Sequence, residues 1–183
     1  MEPTMNAALD GISKSGIRVF TQMAKQEPGC LFLTLGEPDF DTPAYIKQAA
    51  IDSLNQGNVF YTSNYGTMEL REEIAKKLKR ENGIDYKPTE VLVTAGLSEA
   101  VFAVLASILD EGDEILVPDP VWLNYINVPR MLDAVPVTYE LREENGYQLD
   151  LKEIESKITP KTRAIVIVTP NNPTGGVLSE ETL

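Results

Sequence analysis

Apolar residues recur along the chain with two alternating periods, one helical and one extended. Ile17, Phe20, Met23 and Ala24 share one helical face, and Pro28-Gly29 ends that run. Residues 30–35 form a short apolar, strand-like run, followed by LGEPDFDTP, which is packed with turn formers. Thr42-Pro43 reads as an N-cap followed by proline at the first helical position. Ile46, Ala49, Ala50 and Leu54 then keep one face until Gly57 stops the helix. Residues 58–66 are a polar, aromatic loop. A further helix is predicted over residues 67–82, with Leu70, Ile74 and Leu78 as its apolar stripe. Its glutamates come early (Glu72, Glu73) and its cations late (Lys76, Lys77, Lys79, Arg80), which complements the helix dipole, and Gly83 closes it.

Beyond residue 90 strands and helices alternate more tightly. VLVTAG, residues 91–96, predicts a strand ending in glycine, and residues 98–109 predict a helix so apolar all round that it reads as buried. Strands follow at residues 114–118 and 136–141, then a short helix over 150–158 with Leu151, Ile154 and Ile158 on one side. AIVIV, residues 164–168, is continuous and β-branched, as a strand covered on both faces would be. TPNNPTGG makes a rigid loop, and SEETL reads as the first turn of a helix. Alternation of this kind implies an α/β fold with a mostly parallel sheet. No linker divides residues 43–183; residues 1–42 read as an arm or a piece of another domain.

Composition narrows the chemistry. The 183 residues are 43% hydrophobic and 24% charged, a balance that supports a buried core. Sixteen basic against 28 acidic side chains give a net charge of −12, which argues against a nucleic-acid binder that neutralises phosphates. There is no histidine, so histidine-based triads, zinc hydrolase sites and histidine-ligated haem are excluded. The single Cys30 has no internal disulfide partner. The first sixteen residues lack the charged and apolar regions of a secretion signal, and no apolar run reaches the ~20 residues that span a bilayer. The default setting is therefore a reducing cytoplasm, without membrane association.

Three segments could carry chemistry. In VLVTAGLSEA a strand meets a glycine turn that opens a helix, and the first N–H groups of a helix are unsatisfied and partly positive. Such a start suits a phosphate, with Gly96 allowing close approach and Ser98 adding a hydroxyl, although on spacing alone Ser98 is equally an N-cap. The only tryptophan, Trp122, follows a strand, where ligands of parallel sheets bind; it could stack on a flat ring, or simply fill a core or interface. Asn171 and Asn172 offer amides in a loop at another strand's carboxyl end, or build a turn.

LGEPDFDTP, YTSNYG, ELREEIAKKLKRENG, VLVTAGLSEA, DEILVPDPVWLNY, ITPKTRAIVIV and NNPTG together resemble the class I/II aminotransferases of fold type I, most of all the aspartate and aromatic branch. These motifs run in family order from about residue 33 onward. The resemblance implies a large domain that binds pyridoxal 5'-phosphate, with residues 1–42 as an N-terminal arm and small-domain segment and residues 43–183 as the N-terminal part of the large domain. It implies that Gly96, Leu97 and Ser98 cradle the cofactor phosphate and that Trp122 stacks on the pyridine ring. Asn172 would bond the ring's phenolic oxygen, with Tyr125 no nearer than a supporting position. Tyr61 would reach the phosphate of the neighbouring subunit in a homodimer, and Gly36 would lie beside the substrate carboxylate. Substrates would be an amino acid and a 2-oxo acid.

The family's cofactor-anchoring lysine, its pyridinium-pairing aspartate and its carboxylate-gripping arginine lie beyond NNPTG, and Lys152, Lys157 and Lys161 match none of these motifs. The expectation is thus an N-terminal aminotransferase half, inactive by itself. Pro129 also falls where relatives continue a helix, and is expected to kink or end it. Two other readings remain: a different fold-type I reaction, such as a carbon–sulfur lyase or decarboxylase, or a non-catalytic module that uses the same surface for binding or dimerisation.

Overall fold

The helical stripes of the first half and the strand–helix alternation of the second separate into two compact units, one of residues 16–94 and one of residues 95–183 together with the described residues before 16. The computed structural model describes residues 7–12 and 15–183. The parts of the expected arm at residues 1–6 and 13–14 lie outside the described residues.

In the unit of residues 16–94, α1 (Ile17–Ala24), α2 (Ala44–Asn55) and α3 (Met68–Lys77) form as their periodicity predicts. Pro43, not Thr42, is the N-cap of α2 and brings no side-chain bond. Thr67 caps α3 by accepting from the Leu70 N–H. The helix expected to run to residue 82 passes at Leu78 into a π-helical turn, Leu78–Asn82, before left-handed Gly83 ends it. The apolar stripes of α1 and α2 are formed but uncovered; Phe20, Met23 and Leu54 are all exposed. Only Arg71 and Ala75 are buried among the described residues of this unit.

Two expected strands here are absent. Residues 30–35 are irregular. Residues 91–95 run without a ladder partner, because local groups take up their backbone. The Val91 carbonyl accepts from Arg71 Nε at 2.9 Å, the Val93 N–H donates to the Tyr65 carbonyl, and the Ala95 N–H donates to the Glu99 carboxylate. Arg71 Nε also reaches the Pro88 carbonyl at 2.9 Å, and its guanidinium lies over the Tyr65 ring. Gly66, at φ 90°, allows the Tyr65–Val93 approach: a Cβ there would sit 2.6 Å from Val93 Cγ2.

The other unit is the α/β part. It runs α4 (Leu97–Ile108), β1 (Glu114–Asp119), α5 (Asn124–Met131), β2 (Val135–Glu140), α6 (Leu151–Lys157) and β3 (Thr162–Ile165). The sheet is parallel in the order β2-β1-β3, with Glu114 opposite Val135 on one side and Leu116 opposite Ile165 on the other. A central strand paired on both sides is buried on both faces, and Ile115, Leu116 and Val117 are at most 1% exposed.

One face of the sheet packs Ile115 and Val117 on Val101, Leu105, Val128 and Ala134. The other packs Leu116 and Tyr139 on Leu141, Leu149, Ile154 and Leu178. The Tyr139 hydroxyl donates to the Val166 carbonyl at 2.6 Å, and burial raises its pKa to about 12. Asp150 caps α6 through the Lys152 and Glu153 N–H groups.

Three expectations are corrected here. The strand expected at residues 164–168 is shorter and earlier, with an irregular register between Glu114 and Ile115; just past Ile165 the Val166 N–H still donates to the Leu116 carbonyl. α4 is not buried all round: Val101 and Leu105 face the sheet, while Phe102, Val104 and Ile108 are exposed. Pro129 does not end α5; it lies buried inside the helix, which runs on to Met131. Residues 180–182 form a single turn, with the Thr182 N–H donating to the Ser179 carbonyl at 3.1 Å. No described helix is long and apolar enough to cross a membrane.

Candidate functional site

A cleft opens at the carboxyl ends of the parallel strands, where ligands of such sheets bind. Its volume is about 390 Å³, and Leu97, Ser98, Trp122, Tyr125, Val168 and Asn172 line it. That size falls within the range of small-molecule sites. Three stretches converge to make it: the start of α4, the segment after β1 with the first turn of α5, and the loop after β3.

Gly96 is the N-cap of α4, with φ 83° and ψ 175°, a conformation open to glycine and strained for any other residue. A Cβ at Gly96 would meet nothing within 4 Å. Glycine is thus required by its backbone angles and not by crowding from the chain's own atoms. Because Gly96 holds the cap position and has no side chain, Ser98 is the second residue of the helix and not its N-cap, which resolves one of the alternatives the spacing left open. The first N–H groups of α4 have no acceptor in a preceding turn, so they present partial positive charge at the mouth of the cleft. The Glu99 carboxylate, accepting from the Ala95 N–H, ties the turn to the helix it opens.

Trp122 is half-buried. It packs against the core cluster of β1 and α4 and also lines the cleft. Tyr125 meets it edge to face, with ring centroids 5.7 Å apart and planes at 83°.

The two asparagines divide. Asn171 is buried, and its Oδ1 accepts from both the N–H and the hydroxyl of Thr174, so it builds the turn. Asn172 is exposed and lines the cleft. The loop is closed by the Leu178 N–H donating to Thr169 Oγ1 at 3.1 Å. The side chains that line the cleft carry no formal charge.

The structure therefore brings together Leu97, Ser98, Trp122 and Asn172, with Gly96 next in chain. Gly36 and Tyr61 belong to the unit of residues 16–94. Leu35 and Glu37, on either side of Gly36, line a polar groove with Thr21, Lys25 and Asp39, and a Cβ on Gly36 would meet open space. Tyr61 is fully exposed beside a hollow shared with Ser53, Asn58 and Glu69. One residue of the cleft region that sequence reasoning did not single out is Asn124, whose side-chain amide donates to Ser98 Oγ at 3.1 Å. The two are 26 positions apart, a contact that no local pattern announces.

Comparison with known proteins agrees with this architecture. The family model for aminotransferase class I and II matches residues 28–183. A probable aspartate/prephenate aminotransferase of Aquifex aeolicus is 49% identical over 148 residues, which is 81% of this chain and 38% of that protein. Aromatic-amino-acid aminotransferase 2 of Thermococcus litoralis is 40% identical across 96% of this chain and 45% of its own length. Among solved structures, the aspartate aminotransferase of Thermus thermophilus with maleate superposes with a TM-score of 0.92 at 38% identity, over 98% of this chain and 48% of that one. The chain spans less than half the length of these relatives. Matched in sequence from residue 28 onward and in fold over nearly its whole length, it belongs to the class I and II aminotransferases.

Proposed function

We propose that this chain is part of a cytoplasmic, homodimeric aminotransferase that moves an amino group between an amino acid and a 2-oxo acid, and that it supplies residues that hold the phosphate and ring of pyridoxal 5'-phosphate. The observation that carries this reading is the convergence of Ser98, Trp122 and Asn172 on one cleft at the strand ends. The residues fit the group. A glycine-opened helix start and a serine hydroxyl suit its phosphate, an indole with a free cleft-side surface suits its ring, and an exposed amide suits its phenolic oxygen.

When bound, the cofactor supplies an electron sink for the substrate's α-carbon. The chain's own residues bind and orient. The N–H groups of Leu97 and Ser98 and the Ser98 hydroxyl fix the phosphate end, Trp122 sets the plane of the ring, and Asn172 donates to the ring oxygen. Gly36 leaves room for a substrate carboxylate, and the fully exposed Tyr61 is available to a partner subunit's phosphate site. In a reducing compartment Cys30, a free and exposed thiol, stays reduced.

Trp122 is the chain's only tryptophan, so its fluorescence reports this cleft alone. Pyridoxamine 5'-phosphate, which has no aldehyde to react with surface lysines, should quench it saturably, and pyridoxamine lacking the phosphate should bind at least about ten-fold more weakly, as expected when several charge-assisted bonds are lost. Gly96→Val should weaken the phosphorylated ligand through strain at the N-cap. Equal affinity for the two ligands, or no saturable quenching, would refute the site.

A further inference from the structure

Serine hydroxyls at a phosphate site are useful only if their proton points at the anion. A hydroxyl has one O–H to donate and two lone pairs to accept with, and it rotates to suit whichever neighbour is present. A neighbour that accepts takes the proton away from the ligand; a neighbour that donates leaves the proton available. Ser98 has a neighbour of the second kind. The side-chain amide of Asn124 donates to Ser98 Oγ at 3.1 Å.

Asn124 is the first residue of α5, two positions beyond Trp122. It is half-buried in the segment that carries the indole, while Ser98 belongs to the opening turn of α4. The bond therefore ties the segment that presents the ring-stacking side chain to the turn that presents the phosphate donors, within one unit of the structure. It occupies one Ser98 lone pair from the side of α5.

We propose that Asn124 is a positioning residue that commits the Ser98 hydroxyl proton to a phosphate bound at the start of α4. The proposal rests on the cofactor reading above and adds to it a residue that touches neither the ring nor the phosphate. Its consequence is selective: losing the Asn124 amide weakens the phosphorylated ligand and spares the unphosphorylated one.

The experiment titrates the chain with pyridoxamine 5'-phosphate and with pyridoxamine, followed by Trp122 fluorescence, in wild type, Asn124→Ala, Asn124→Asp, Ser98→Ala and the two double variants with Ser98→Ala. Asn124→Ala is expected to raise the Kd for the phosphorylated ligand about three- to ten-fold, the effect of one misdirected hydrogen bond to an anion, and to leave pyridoxamine unchanged. Asn124→Asp has the same size but can only accept, so it draws the Ser98 proton toward itself and should raise that Kd further. In the Ser98→Ala background Asn124→Ala should change nothing, and Asn124→Asp should retain only the part due to its charge.

An unchanged Kd in Asn124→Ala overturns the proposal, as does an equal weakening of both ligands, which would mean that Asn124 only supports the fold or the indole. Persistence of the full Asn124→Ala effect without the Ser98 hydroxyl overturns it too. Far-UV circular dichroism checks that each variant is folded, and the Asp variant carries the test if the Ala variant is not. If wild type itself fails to distinguish the two ligands, the cofactor reading fails first, and this proposal falls with it.

Discussion

Removing one oxygen atom from the core, Tyr139→Phe, tests how the strand ends are held. Tyr139 is 1% exposed, and its hydroxyl donates to the Val166 carbonyl at 2.6 Å, just past the end of β3. Phenylalanine keeps the ring among Leu116, Leu141 and Ile154, so no cavity opens and the change is purely polar. What is lost is one hydrogen bond, with a carbonyl left short of a partner, at a cost of about 1–3 kcal/mol. At about 2–4 °C per kcal/mol for a chain of this size, a cost near the middle of that range lowers the melting temperature by roughly 4–8 °C.

Urea unfolding followed by Trp122 fluorescence measures the effect, since the indole reports the same unit as Tyr139. The bond also has a pH signature. Burial favours the neutral phenol, so the folded state keeps its proton up to about pH 12, while the unfolded chain releases it near the ordinary tyrosine value of 10.0. Stability from this group is whole below pH 10 and falls as pH climbs toward 12. The wild type should therefore lose stability across that window faster than Tyr139→Phe. A variant within about 0.5 kcal/mol of wild type, the spread of an ordinary surface change, or parallel pH profiles for the two proteins, refutes the reasoning.

In the other unit, Gly66→Ala puts a Cβ 2.6 Å from Val93 Cγ2 at φ 90° and should destabilise by about 1–3 kcal/mol, read by a circular dichroism melt because no tryptophan lies there. Arg71→Met leaves the Pro88 and Val91 carbonyls without their shared donor, and a loss of about 2–3 kcal/mol in the same melt is expected; a neutral outcome would show that solvent replaces Nε at no cost. Asp150→Ala removes both side-chain bonds at the start of α6 and should cost about 1 kcal/mol in urea.

Periodicity was a good guide where a segment's structure depends on its own residues. The helices α1 to α4 and α6, and strands β1 and β2, fall within a few residues of their apolar patterns, and the parallel sheet follows from their alternation. It failed where the outcome depends on a distant partner. Residues 91–95 have a strand's composition, but Arg71, Tyr65 and Glu99 take their backbone groups before any ladder can form. The all-apolar α4 implied burial, yet among the described residues the sheet covers only the side bearing Val101 and Leu105. In the candidate site, Ser98, Trp122 and Asn172 were legible because turn chemistry and motif order mark them. The bond from Asn124 to Ser98 was not, since an asparagine two residues after the only tryptophan carries no periodic or compositional mark.

The central position of β1 also sets the order in which the molecule opens in time. Its amides can exchange with solvent only when a flanking strand leaves, and Ile115, Leu116 and Val117 sit under side chains on both faces as well. Deuterium should therefore enter residues 91–95 and the outer edges of β2 and β3 first, through local fluctuations. It should reach Leu116 last, at the rate at which the whole sheet comes apart.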